Sequence, residues 1–223
     1  SLLQDQLHDE YPDKVLSTFT VIPSSYISDV IIEPYNCLLS INHLMKSTDQ
    51  IFYIDNEKLY NSMKNEFRNF NPTYSDLNYY SVVNMIGGTF PLRIPNLINS
   101  DLRKLSINLI PFPRFKFLTA NFAPQEIRGS RGVRRKEINE LVPSVFCKKD
   151  VVYLRDSMAF HGRMKYNEID DFMSSFCLNH PEVDIKTSIT PICTKFNNYK
   201  SISLLENSTA FKKVLGRESK KAN

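Results

Sequence analysis

Residues 72–91 read Pro-Thr-Tyr-Ser-Asp-Leu-Asn-Tyr-Tyr-Ser-Val-Val-Asn-Met-Ile-Gly-Gly-Thr-Phe-Pro, and they carry the clearest helix signal in the chain. Asp76 lies three residues after Thr73, as in a capping box, where two side chains satisfy the free N–H groups of a first turn. Tyr79, Val82, Val83, Ile86 and Phe90 follow at helical spacing and predict one apolar stripe. Gly87 and Gly88 weaken the helix near its end, each by about 1 kcal/mol against alanine. Pro91 and Pro95 are expected to break it.

Upstream, residues 2–10 read as a helix closed by Tyr11-Pro12, and Lys14 to Ile22 as a strand stopped by Pro23-Ser24-Ser25. Glu33-Pro34 opens a helix running to about Lys46, because proline sits well where a first turn has no use for its missing N–H. A strand at Gln50–Ile54 and a helix from Asn56 to Arg68 follow. Downstream, Asn99 is the expected cap of a helix whose face is Leu102, Leu105 and Leu109, with Asp101 in its first turn. The alternation in Arg114-Phe-Lys-Phe-Leu predicts a half-buried strand. Two more helices are expected around Ile138–Val145 and Ile169–Phe176, then strands at 183–193 and 199–205, and a tail that begins helically at Phe211. The order predicts an α/β part in front and an α+β part behind, joined by the helix at 72–91.

The 223 residues are 42% apolar and 12% aromatic, enough for a packed core. No apolar stretch is long enough to cross a bilayer, and no secretory leader pattern is seen. Cys37, Cys147, Cys177 and Cys193 form no C-x-x-C pair and read as reduced buried thiols, so neither a metal nor a redox centre is expected. The net charge is +4, and its densest basic run is Arg128-Gly-Ser-Arg131-Gly-Val-Arg134-Arg135-Lys136. No aromatics interleave that run, which speaks for a solvated or subunit-facing loop and against a nucleic-acid partner.

Several motifs in order resemble tubulin: Val-Ile-Ile-Glu-Pro-Tyr-Asn at 30–36, Ile-Asp-Asn-Glu at 54–57 and Pro-Thr-Tyr-Ser-Asp-Leu-Asn at 72–78. Further along come Asn-Ser-Asp-Leu-Arg-Lys-Leu at 99–105, Pro-Phe-Pro-Arg-Phe at 111–115, Phe-Ala-Pro at 122–124, His-Gly-Arg-Met at 161–164 and Glu-Asn-Ser-Thr-Ala at 206–210. The resemblance implies a tubulin/FtsZ-like α/β fold: a partial Rossmann-type nucleotide domain joined by a central helix to an α+β intermediate domain. Residues 1–71 would be the rear of the GTP-binding domain, 72–91 the central helix, 92–205 the intermediate domain, and 206–223 the start of a C-terminal helical region. Against the family, the sequence would be the back two-thirds, without the front strands, the glycine-rich phosphate loop, the magnesium-associated residues or the acidic tail. The stretch between Asp150 and His161 is shorter than in the family, at the expense of part of a strand.

The β type is implied by Lys104, where the α type carries a glutamate thought to position the attacking water, and by Asp29. An ammonium donates but cannot accept a water's proton, so no catalytic residue is assigned. The resemblance implies that Tyr74 stacks on guanine, Asn78 and Asn56 bond the base, and Asp29 and Glu33 accept from ribose hydroxyls. Tyr74 and Asn78 are a turn apart and share a face of any helix, independently of family. Without the family, Asn56, Asp29 and Glu33 read equally well as helix-start residues. Lys104, Arg128, Val133 and Arg134 are the implied subunit contacts, with Val133 where the family has an aromatic anchor. The resemblance implies a β-tubulin-type structural subunit of cytoplasmic microtubules that pairs with α-tubulin and neighbouring subunits and binds GTP, with magnesium, in complete form. GTP binding by these residues alone is expected to be weak or absent. The alternatives are a truncated paralogue acting as a binding or capping module without nucleotide turnover, and a GTPase in its own right, which Lys104 opposes.

Overall fold

A computed structural model describes residues 2–24, 30–66, 71–93, 101–125, 137–146, 153–162, 164–179, 185–190 and 200–222. The strands are β1 (Ser17–Ile22), β2 (Gln50–Asp55), β3 (Phe117–Ala123), β4 (Tyr153–His161), β5 (Ile185–Thr190) and β6 (Ser201–Ser208). The helices are α1 (Leu2–Glu10), α2 (Glu33–Ser47), α3 (Asn56–Glu66), α4 (Tyr74–Arg93), α5 (Leu102–Leu109), α6 (Ile138–Val145), α7 (Tyr166–Asn179) and α8 (Ala210–Ala222).

All six strands join one sheet in the order β1-β2-β3-β6-β4-β5. The front is a parallel β1–α2–β2 unit, with Ser17 opposite Gln50 through to Ile22 opposite Asp55. The rear is mixed: β3–β6 and β6–β4 are antiparallel, β4–β5 parallel. The halves meet at a short parallel seam in which Ile51 and Phe52 face Phe117 and Leu118. Apolar cores cover both faces. Phe117 joins Ile51, Tyr53, Ile41, Leu44 and Phe211 on one side, while Leu118 and Ala120 join Phe52, Leu105, Leu109 and Leu205 on the other.

That double cover corrects the half-buried strand expected around residues 114–118. The strand begins at Phe117 and is buried on both faces apart from Phe122. The α4 stripe is also on the other side. Leu77, Tyr80, Asn84, Gly87 and Gly88 are buried, whereas Tyr79, Val82 and Ile86 are exposed. The two glycines let the helix approach the sheet closely, so the face with the smallest residues turns inward. Pro91 does not end the helix, which runs to Arg93. A proline so near the end forfeits one backbone bond, and Arg93 turns back to donate to the Ile86 carbonyl at 2.7 Å. The expected capping box is present, with the Thr73 N–H and hydroxyl donating to Asp76 at 3.0 and 2.7 Å.

Asp101, not Asn99, caps α5, its carboxylate accepting from the Arg103 N–H at 3.4 Å. The stretch before His161 forms the nine-residue β4. β6 extends to Ser208, past the expected end at residue 205. After β4, Gly162 has φ 103°, the left-handed region that disfavours a side chain. Cys37 is buried as expected, but Cys177 is exposed on α7. Cys147, Cys193, Asn99 and the basic run 128–136 lie outside the described residues.

Candidate functional site at the strand ends

β1 and β2 finish side by side, Ile22 level with Asp55. In open α/β sheets, ligands sit in the crevice beyond the carboxyl ends of parallel strands. Glu33 opens α2 at this end, and Asn56 opens α3 directly after β2. Ile32 caps α2 without a side-chain bond, so Glu33 brings charge rather than a cap. At the start of α3 the Asp55 carboxylate accepts from the Glu57 N–H at 3.0 Å. Asp55 therefore does the capping that Asn56 would otherwise do, and the half-buried Asn56 carboxamide is left for another partner.

The distal helix α8 ties this end down. Arg217 spans two carboxylates, donating to Asp55 at 2.6 Å and to Glu57. Burial pushes the Glu57 carboxyl above its ordinary range, against the pull of Arg217. Burial also pushes the Glu218 carboxyl up, with Glu33 and Asp55 adding to it and Lys221 and Arg217 opposing. Glu33 and the Asp55–Glu57 turn thus share one electrostatic neighbourhood beside α8. Removing the guanidinium leaves two largely buried carboxylates facing each other. Arg217→Met is expected to lower stability by about 2 kcal/mol, less than a fully buried pair because all three groups touch solvent. Urea unfolding checks this, and Asp55→Asn in the Arg217→Met background should recover part of the loss.

Tyr74 and Asn78 stand in the first turns of α4, both exposed, with Tyr74 82% accessible. Leu77 and Tyr80 pack against Leu59 and Met63 of α3, so the start of α4 is fixed beside the helix that Asn56 opens. Tyr74 and Asn78 consequently share an outward face. Lys104 is exposed on α5, next to exposed Ile107, and Phe112 and Phe115 are exposed just beyond. Asp29, Arg128, Val133 and Arg134 lie outside the described residues. Sequence reasoning missed Asp55, Glu57 and Arg217. The one available signal is that Arg217 falls a turn beyond buried Val214, at the edge of the α8 apolar stripe.

Burial, with Glu218 and Glu33 adding to it, pushes the Cys37 thiol up to about 11, so it is an inert packing group. None of the described helices is long and apolar enough to cross a membrane.

Residues 1–64 match the family model described as Tubulin/FtsZ family, GTPase domain. The match spans α1, β1, α2, β2 and most of α3, including Glu33 and Asn56. It supports a tubulin-like, GTP-binding protein of the cytoskeleton. The front of the chain thus carries the Tubulin/FtsZ GTPase-domain pattern, within a mixed α/β fold of tubulin/FtsZ-like class.

Proposed function

We propose that the chain is a β-tubulin-type subunit whose Asn56, Tyr74 and Asn78 read guanine and whose Asp29 and Glu33 hold ribose. It pairs with α-tubulin and neighbouring subunits in cytoplasmic microtubules. The observation that carries this reading is the unclaimed Asn56 carboxamide at the end of β2, freed because Asp55 caps α3, beside a helix that presents Tyr74 and Asn78 outward. A tyrosine face and two carboxamides suit a purine with both donor and acceptor edges. Exposed Lys104, Ile107, Phe112 and Phe115 give α5 and its end a mixed basic and apolar surface suited to a neighbouring subunit. The division of the chain at α4 into nucleotide and intermediate parts goes with this reading.

The residues named here face base and ribose, and none of them is assigned to a phosphate, so the triphosphate is expected to add little to what they bind. Calorimetric titration tests the reading. Guanosine is expected to bind at least about tenfold tighter than adenosine, and GTP no tighter than guanosine. Tyr74→Ala should weaken guanosine by about tenfold, the loss of one base–aromatic stack. Equal affinity for adenosine, or nanomolar affinity for GTP, would sink the assignment. Failure to co-sediment with assembling tubulin would remove the subunit role alone.

A further inference from the structure

The strand-end site backs onto a cavity of about 460 Å³ between the sheet and helices α3, α4 and α8. Asp55, Glu57 and Arg217 belong to both. Glu57 and Lys58 line the cavity, whereas Asn56 does not. Helical residues two positions apart point roughly 200° away from each other, so Asn56 and Lys58 stand on opposite sides of the first turn of α3.

Open space beneath a helix deprives its first turn of packing. Leu59 and Met63 pack on Leu77 and Tyr80 of α4, but only after that turn has begun. The residues next to Asn56 are held by polar contacts instead. Glu57 is bound by Arg217 from α8. Lys58 reaches the sheet, its Nζ donating to Asn121 Oδ1 on β3 at 3.3 Å. Lysine is rarely turned inward without a partner, because its ammonium is strongly hydrated. Lys58 is half-buried, and it ends on a residue only 7% exposed. Burial pushes the Glu206 carboxyl of β6 up, with Lys58, Asn121 and Thr119 pulling the other way, so Lys58 faces that carboxyl too. The bond to Asn121 stands in either state of Glu206, since a carboxamide oxygen accepts from an ammonium regardless. Asn121 lies opposite Leu204 in the antiparallel β3–β6 pair, in the rear half of the sheet. The start of α3 is thus fixed from two directions, by α8 through Glu57 and by β3 through Lys58.

We infer that Lys58 is a positioning residue of the guanine site: by bridging to Asn121 it sets the first turn of α3 so that the Asn56 carboxamide meets the base edge. The inference rests on the guanine reading above and adds the β3–β6 pair to what determines selectivity. Hydrogen bonds weaken steeply with misalignment, whereas stacking on Tyr74 tolerates any base. A tilted first turn therefore costs discrimination between bases before it costs binding as such.

The test compares guanosine with adenosine by calorimetry on the full chain. Lys58→Met keeps the stem and removes the ammonium, and Asn121→Leu keeps the volume and removes the acceptor. Each is expected to cut the guanosine preference at least about threefold, the worth of one misaligned hydrogen bond. Asn56→Ala should do the same, and Lys58→Met should add nothing in that background, because Lys58 acts through Asn56. A purely structural bridge would lower the urea midpoint and leave the preference of the folded protein unchanged, which would overturn the inference. Additive losses in the Asn56→Ala background would overturn it as well. A wild type with no preference for guanosine counts against the guanine reading, and the bridge is then judged without ligand, from the Asn56 side-chain amide signals in nitrogen-15 NMR spectra. Those signals should shift and broaden in Lys58→Met, and signals identical to the wild type would sink the positioning role. Lys58 is only half-buried, so its variant keeps the test decisive even if Asn121→Leu folds poorly.

Discussion

Gly88→Val is expected to destabilise the protein by about 3 kcal/mol, read as a lower urea midpoint with an unchanged slope. A Cβ at Gly88 would stand 2.9 Å from the Ala120 Cβ and 3.3 Å from a Leu205 methyl. The leucine tip can move a few tenths of an ångström, but the Ala120 Cβ is fixed to the backbone of a central strand. One added carbon therefore already forces α4 away from β3, and valine adds three. The separation would spread to Gly87, whose own Cβ would meet Phe122 at 2.9 Å. Alanine at Gly88 should lose less, since its helix preference of about 1 kcal/mol offsets part of the clash.

The explanation lies in the contact and not in helix preference, and two comparisons separate them. Gly216 is helical too, but nothing lies within 4 Å of a Cβ there. Gly216→Ala is thus expected to stabilise slightly, the opposite sign for the same kind of change. Ala120→Gly opens the space facing Gly88, so the Gly88→Ala and Ala120→Gly pair should be less unstable than the sum of its parts. Additive losses would mean that the helix–sheet approach is not what the glycines serve.

Those glycines show where the sequence was readable. The Thr73–Asp76 capping box and the Glu33-Pro34 helix start are local signals, settled by neighbours a few residues away, and both stand in the structure. Which face of α4 turns inward is not local. An apolar stripe through Val82 and Ile86 competes with a small-residue face through Gly87 and Gly88, and only the position of β3 decides between them. β4 was hidden for a related reason. Its middle residues, Asp156 and Ser157, are buried in a strand flanked on both sides, where a period-two search expects apolar residues inside. β6 is buried throughout yet contains Ser203, Glu206 and Asn207.

At the candidate site, motif resemblance supplied the residues that would face a ligand but not those that hold them. Asp55 reads as the last residue of a strand, and its capping role appears only once Glu57 folds back over it. Arg217 lies 162 positions from Asp55, in a charged tail that reads as a solvated helix. Long-range ion pairs leave no spacing signature, so this half of the site could come only from coordinates.

The second large effect is a loss of stability in acid that traces to His161. Its ring closes β4, with Nε2 2.9 Å from the Ser203 hydroxyl, Nδ1 unpartnered, and the Phe90 ring 3.9 Å away. Burial holds its pKa down at about 4, against an ordinary value of 6.5. The folded protein therefore binds fewer protons than the unfolded chain between these values, and stability falls as pH drops through that window. At about 1.4 kcal/mol per pH unit, the loss reaches about 3 kcal/mol by pH 4. Glu206, Glu57 and Glu218 act in the opposite direction, since burial raises each of them and protonation relieves it. The measurement is therefore a difference: urea midpoints of wild type and His161→Gln from pH 7 to 4. The wild type should lose about 3 kcal/mol more than the variant, and parallel curves would refute the assignment. The consequence reaches the strand-end site, because Phe90 belongs to α4. The Phe90 ring itself tolerates a cation, but the buried surroundings do not, so a charged imidazolium must move toward water. That shift disturbs its packing on α4, the helix whose first turns carry Tyr74 and Asn78, so guanosine affinity should weaken over the same pH range in the wild type and hold in His161→Gln.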